Sequence, residues 1–104
     1  MNKLSNSQIR FLRSKAHALK PVILMGANGL TDAVMEAIEE ALGHHELIKI
    51  RVRVENRDEK QQVIESICKK TGAAKIQNIG HVLTLYKSND QPGGIELPGP
   101  KARR

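Results

Sequence analysis

The sequence predicts a two-layer α/β domain with element order α-β-α-β-α-β-β and a four-stranded mixed sheet. Three observations lead to it. Apolar residues recur at helical spacing in three separate segments, near residues 9–19, 34–42 and 63–68. Between the second and third, Ile48, Ile50, Val52 and Val54 alternate strictly with Lys49, Arg51 and Arg53. After the third, two short strand-like runs meet at Gly80. Strands separated by helices imply right-handed crossovers and parallel pairing. A terminal hairpin adds an antiparallel pair and makes the sheet mixed.

Taken in order, Ser5 with Gln8 three residues later has the form of a capping box and starts the first helix. Ile9, Leu12, Ala16 and Leu19 make its apolar stripe, with Arg10, Arg13 and His17 on a neighbouring face and Lys15 further round. Pro21 closes the segment, because the residue before a proline is pushed out of helical geometry. Val22-Ile23-Leu24-Met25 is short, apolar and β-branched at its start, which favours a buried strand covered on both sides. It stops abruptly at Gly26-Ala27-Asn28-Gly29. Two glycines bracketing a pair of residues let the chain turn sharply and approach a partner closely. Thr31 then suits an N-cap, and Asp32 complements the dipole of the second helix. Val34, Ala37, Ile38, Ala41 and Leu42 build that helix's apolar face, and Gly43 before His44-His45 is expected to end it.

Residues 47–54 form the clearest strand, one face buried and the other presenting three cations in a row. Like charges two apart repel mildly, so an uncompensated row points to binding; a merely solvated strand face is the alternative. A third helix is expected over residues 58–71, with Val63, Ile64, Ile67 and Cys68 inward. Lys69 and Lys70 suit its C-terminal end and Gly72 its stop. Residues 75–79 and 81–86 read as a hairpin. From Ser88 the periodicity vanishes and Pro92, Gly93, Gly94, Pro98, Gly99 and Pro100 follow. The folded domain is therefore expected over residues 1–87, and residues 88–104 as a Pro/Gly-rich basic tail without order.

A chain of 104 residues suits one domain with one modest core. No apolar run approaches the ~20 residues of a membrane span, and the N-terminus lacks the pattern of a secretory signal. Cys68 is the single cysteine, which excludes an internal disulfide. The expectation is a cytoplasmic protein with no membrane partner. Net charge is +6 and is segregated along the chain. Residues 1–30 hold five basic side chains and no acids, residues 31–46 five acids and no Lys or Arg, and residues 47–54 three basic residues. Such segregation gives a basic face suited to nucleic acid, or only an uneven surface; charge by itself leaves both open.

The glycine loop fails as a nucleotide-phosphate motif, since Leu30-Thr31 follows Gly29 where a P-loop needs Lys-Ser or Lys-Thr. A dinucleotide fingerprint fails too, with only one Gly-x-x-Gly present. In KH domains, however, a Gly-x-x-Gly loop clamps backbone nucleotides. His44, His45 and Glu46 make a poor metal set, because adjacent helical residues point about 100° apart. Cys68 reads as a small buried hydrophobe. No acid–base pair supports an enzyme, and no cofactor, metal or small-molecule substrate is expected. Phe11 and Tyr86 are the only large aromatics, so stacking of splayed bases on rings is not available on any scale. A nucleic acid would be gripped by its backbone, with strong salt dependence.

Several stretches together resemble a known family. Leu19-Lys20-Pro21, the apolar run behind it, Gly26-Ala27-Asn28-Gly29-Leu30-Thr31, His45-Glu46-Leu47-Ile48-Lys49, and Ile79-Gly80 through Leu85-Tyr86 are similar to the CRM domain (chloroplast RNA splicing and ribosome maturation). The likeness covers about residues 4–87 and is greatest to the free-standing bacterial YhbY-like form. It implies a fold like the C-terminal domain of translation initiation factor 3, and RNA as partner. It further implies assembly of the large ribosomal subunit, with ribosomal RNA of a precursor particle as the RNA bound. The implied contact surface is Gly26, Ala27, Asn28 and Gly29 with the basic residues Arg10, Arg13, Lys15, Lys20, Lys49, Arg51 and Arg53. One departure is Ala27, where the family often carries a basic residue; it shifts weight to the loop amides and the flanking cations. The competing reading is a protein-interaction module whose active surface is the acidic helix at residues 32–46. A phosphate-ligand enzyme using the glycine loop is a third, without a catalytic group to accompany it.

Overall fold

A computed structural model of the chain describes residues 4–26 and 29–88. Ala27, Asn28 and residues 89–104 of the expected tail lie outside the described residues. The helices start where local chemistry caps them. Helix α1 (Asn6–Ala16) opens on a complete capping box: Gln8 N–H donates to Ser5 Oγ at 3.1 Å, and Ser5 N–H to Gln8 Oε1 at 2.9 Å. Helix α2 (Asp32–His45) opens on Thr31, whose hydroxyl accepts from Val34 N–H at 3.1 Å. Helix α3 (Arg57–Thr71) opens on Asn56, whose amide oxygen accepts from Glu59 N–H at 2.9 Å. Each such cap contributes about 1 kcal/mol. Gly72 stops α3 at φ +78°, where any other residue would be strained.

The four strands are β1 (Ile23–Met25), β2 (Leu47–Val52), β3 (Ala74–Ile79) and β4 (Val82–Tyr86). Their order across the sheet is β1-β2-β4-β3. β1 and β2 run parallel, while β4 is antiparallel to both β2 and β3. The expected mixed sheet and element order are present. The crossover through α3 leaves one strand's width between β2 and β3, and the chain fills it by folding back through the two-residue turn Gly80-His81.

Strand alternation sorts the core into two clusters. Ile48, Ile50 and Val52 of β2 join Met25, Leu83 and Leu85 beneath Ile38 and Leu42 of α2 and Ile64 and Ile67 of α3. Leu47 and Tyr86 project the other way and meet Leu12 and Ala16 of α1, with Ile76. Helix α1 therefore covers one end of the second face, and the rest of that face stays open. β2 was expected to be covered on one side alone; at Leu47 it is covered on both.

Three expectations are corrected. α1 ends at Ala16, a turn earlier than the stripe implied, and Leu19 is left 39% exposed instead of joining the core. β1 is not covered on both sides: Leu24 is 58% exposed, because α1 does not extend over it. α2 passes through Gly43 and ends at Glu46, where φ is +58°. A helical glycine costs about 1 kcal/mol, which burial of the adjacent Leu42 offsets. The reversal is held by bonds from Glu46 N–H to Leu42 O (3.1 Å) and from Lys87 N–H to Glu46 O (2.8 Å).

Two substitutions test this packing by chemical denaturation. Ile50, fully buried at the centre of the larger cluster, should cost about 2–5 kcal/mol as Ile50→Ala. Gly72→Ala meets only the flexible Lys87 side chain at 3.8 Å, so its cost should be the backbone strain alone, about 1–2 kcal/mol.

Candidate functional site

The carboxyl ends of the parallel strands β1 and β2 open toward the N-termini of α2 and α3, the position where open α/β sheets place ligands. A cleft of about 700 Å³ lies there, between Gly26, Gly29 and Leu30 on one side and Arg53, Asn56, Glu59 and Gln62 on the other. A second hollow runs along β1 and is lined by Lys20, Val22, Leu24, Arg51 and Arg53. A third joins Leu24, Gly26, Arg53, Glu55 and His81. Arg53 lines all three, so it is the side chain that links the glycine loop to the basic face of the sheet.

The described ends of the loop are bonded to each other. Gly29 N–H donates to Gly26 O at 3.0 Å, and Thr31 N–H donates to Gly29 O at 3.1 Å. These two amides are thereby occupied within the chain and are not free donors for an anion. Gly29 sits at φ +76°, whereas Gly26 has no positive φ, and a Cβ at either would meet open space. The backbone therefore requires a glycine at Gly29, whereas at Gly26 nothing among the described residues requires one.

The expected contact residues fall into two groups. Gly26, Gly29, Lys20, Arg51 and Arg53 share the linked hollows just described. Lys49, half-buried, projects from β2 to the same face as Arg51, because the two are two residues apart on one strand. Arg10 and Arg13 are exposed on α1 and share none of these hollows. Lys15 stands with its Nζ 5.6 Å from the Phe11 ring centre, and with Lys20, Leu19 and Val22 it lines a separate hollow at the start of β1. Ala27 and Asn28 lie outside the described residues. Among the described residues, no carboxylate forms an ion pair with Lys49, Arg51 or Arg53.

Two features escaped sequence reasoning. Val22 and Leu24 are exposed beside the cations, and Ile79 is exposed across the sheet; the apolar run at residues 22–25 had concealed this, since burial of a strand depends on where a remote helix stops. His81 was also missed. Its Nδ1 lies 3.2 Å from Val52 O, and Lys60 Nζ donates to Gly80 O at 2.9 Å, so the hairpin turn is tied to β2 and α3 beside the cleft.

No group of three His, Cys, Asp or Glu among the described residues could hold a metal. Cys68 is half-buried, and burial pushes its thiol above the usual range, with nearby Lys75 pulling weakly the other way; a thiol held neutral is a poor nucleophile. No helix among the described residues is long and apolar enough to cross a membrane.

The different roles of the two loop glycines give a stability test. Gly29→Ala should lower stability by about 1 kcal/mol or more through its left-handed backbone, while Gly26→Ala should be close to neutral, both read by thermal unfolding.

Comparison with known proteins shows the family and the fold. The CRS1 / YhbY (CRM) domain model matches residues 4–87. An RNA-binding protein of Haemophilus influenzae is 47% identical over 98 residues, spanning 94% of this chain and 98% of that protein. A Bacillus subtilis protein carrying the name probable RNA-binding protein YqeI is 40% identical, over 91% of this chain and 99% of that one. The solution structure of a Staphylococcus aureus protein, described as a candidate RNA binder, superimposes with a TM-score of 0.80 at 32% identity, covering 92% of this chain and all of that one. The chain belongs to the CRS1/YhbY (CRM) domain family.

Proposed function

We propose that the chain is a non-enzymatic RNA-binding protein that grips RNA backbone with the cations around its glycine loop. The observation that carries this reading is Arg53, which joins the loop cleft to the hollow shared by Lys20 and Arg51. Cations without carboxylate partners favour a polyanion over a solvated structural face, and RNA-binding relatives of nearly full-length coverage support the same partner. In this reading Gly26 is the point of closest approach to a phosphate, and Lys20, Lys49, Arg51 and Arg53 supply most of the affinity. Arg10, Arg13 and Lys15 act as an outer basic rim on α1. The loop amides contribute less than its sequence suggested, since that of Gly29 is bonded within the chain, as is that of Thr31 behind it.

The resemblance to free-standing bacterial members of the family extends the role to assembly of the large ribosomal subunit, with ribosomal RNA of a precursor particle as the partner. A second reading has an observation of its own: Asp32, Glu36, Glu39 and Glu40 are all exposed on α2, an acidic surface for a protein partner.

The double variant Arg51→Glu with Arg53→Glu separates the two. RNA affinity should fall by more than about tenfold, and the slope of log affinity against log salt should lessen by about 1.5–2. Unchanged affinity would leave α2 as the working surface. Gly26→Asp, which carries no backbone penalty, should also weaken RNA binding severalfold. For the ribosomal role, the protein should co-sediment with large-subunit precursors at low salt; recovery wholly in the free-protein fractions would exclude it.

A further inference from the structure

One row of registered residues crosses the half of the sheet that α1 leaves open. Leu24 on β1 pairs with Arg51 on β2, Arg51 with Val82 on β4, and Val82 with Ile79 on β3. Registered partners project to the same face, so the row reads aliphatic, cation, aliphatic, aliphatic. Its two ends are strongly exposed, Leu24 at 58% and Ile79 at 65%, and Val22 at 54% stands beside Leu24 in the hollow that also holds Lys20 and Arg53. With neighbouring strands about 4.8 Å apart, the row spans about 14 Å. The row behind it is Lys49, Thr84 and Gln77. Thr84 there is fully buried with a hydroxyl that finds no partner among the described residues.

Isolated exposed aliphatics are ordinary. Aliphatics set at both edges of one sheet row, with a cation between them, are not explained by stability. The face needs an occupant that is both anionic and apolar. A purely apolar protein surface would leave Arg51 desolvated in the middle of the row without a countercharge, which is costly. Duplex RNA could neutralise the cations, but its base faces are stacked inside the helix. A single strand with unstacked nucleotides supplies both parts, phosphates for the cations and base and ribose faces for the aliphatics.

We propose that this open sheet face seats unstacked nucleotides of single-stranded RNA. Leu24, Val22 and Ile79 form an aliphatic floor in place of aromatic rings, and the Arg51 guanidinium, set within the row, is a planar group on which a base stacks. The proposal rests on the RNA-binding reading above and adds the class of RNA. It also adds to the expectation that bases are not stacked on aromatic rings and that the backbone alone is gripped: aliphatic contact and an arginine plane hold bases without rings.

The test is the double variant Leu24→Ala with Ile79→Ala, compared with the unaltered chain for binding to a single-stranded RNA oligonucleotide and to a duplex of equal length. Both positions are exposed, so thermal unfolding should be little changed; Leu24→Gln with Ile79→Gln is a second variant that keeps side-chain size. Single-strand affinity should fall about fivefold to tenfold in both variants, with duplex affinity and the salt slope unchanged. Equal losses for both RNAs, or no loss for either, would overturn the proposal while leaving RNA binding itself in place; the second result would mark the face as a protein-docking surface. Failure of the unaltered chain to bind either RNA would overturn the RNA-binding reading as well.

Discussion

Burial of Ile48, Ile50 and Val52 under α2 and α3 is the constraint on which the rest of the molecule depends. Each contributes on the order of 1.5–3 kcal/mol by leaving water. Because side chains on a strand alternate, fixing these three on one face fixes Lys49 and Arg51 on the other. A slip of one residue would exchange them and drive unpaired cations into the core, at a cost no other contact offsets. The register of β2 then places Leu24 of β1 and Val82 of β4 beside Arg51. The basic face is thus a by-product of core packing and cannot drift relative to the loop.

Much of this was legible in the residues. Ser5 with Gln8, Thr31 with Asp32, and Gly72 each act through neighbours within four residues, and each acts as read. The period of two in β2 is a local signal of a global fact, because only one face of that strand could be apolar. Where reading failed, the deciding contact was remote. Nothing near Leu24 tells how far α1 reaches across the sheet, so an apolar run read as buried is half exposed. Gly43 looked like a helix stop, but the buried Leu42 and the reversal at Glu46 carry α2 past it. The row joining Leu24 to Ile79 exists only once β4 lies between β2 and β3, and no spacing in the chain announces it.

The site has the same division. Its cations were visible as a charge pattern, whereas the occupied amides of Gly29 and Thr31 and the linking position of Arg53 required the fold. Together they move the emphasis from an amide cradle in the loop to a surface that runs from the loop down the open sheet. Of the two loop glycines, Gly29 alone is held by its backbone angle, and no described residue crowds Gly26. Acidic α2 packs on the face of the sheet opposite to Lys49 and Arg51, whereas the cleft beside the loop sets Glu55 and Glu59 next to Arg53.

The central claim, that one continuous surface from the glycine loop along the open sheet meets RNA, is tested most directly by mapping backbone amide shifts in an NMR titration with single-stranded RNA. The account predicts saturable changes concentrated at Lys20 to Gly26, Gly29, Lys49 to Arg53, Val82 and Ile79, with the outer face of α2 unmoved. Changes confined to Glu36, Glu39 and Glu40, or absent from β1 and β2, would contradict it.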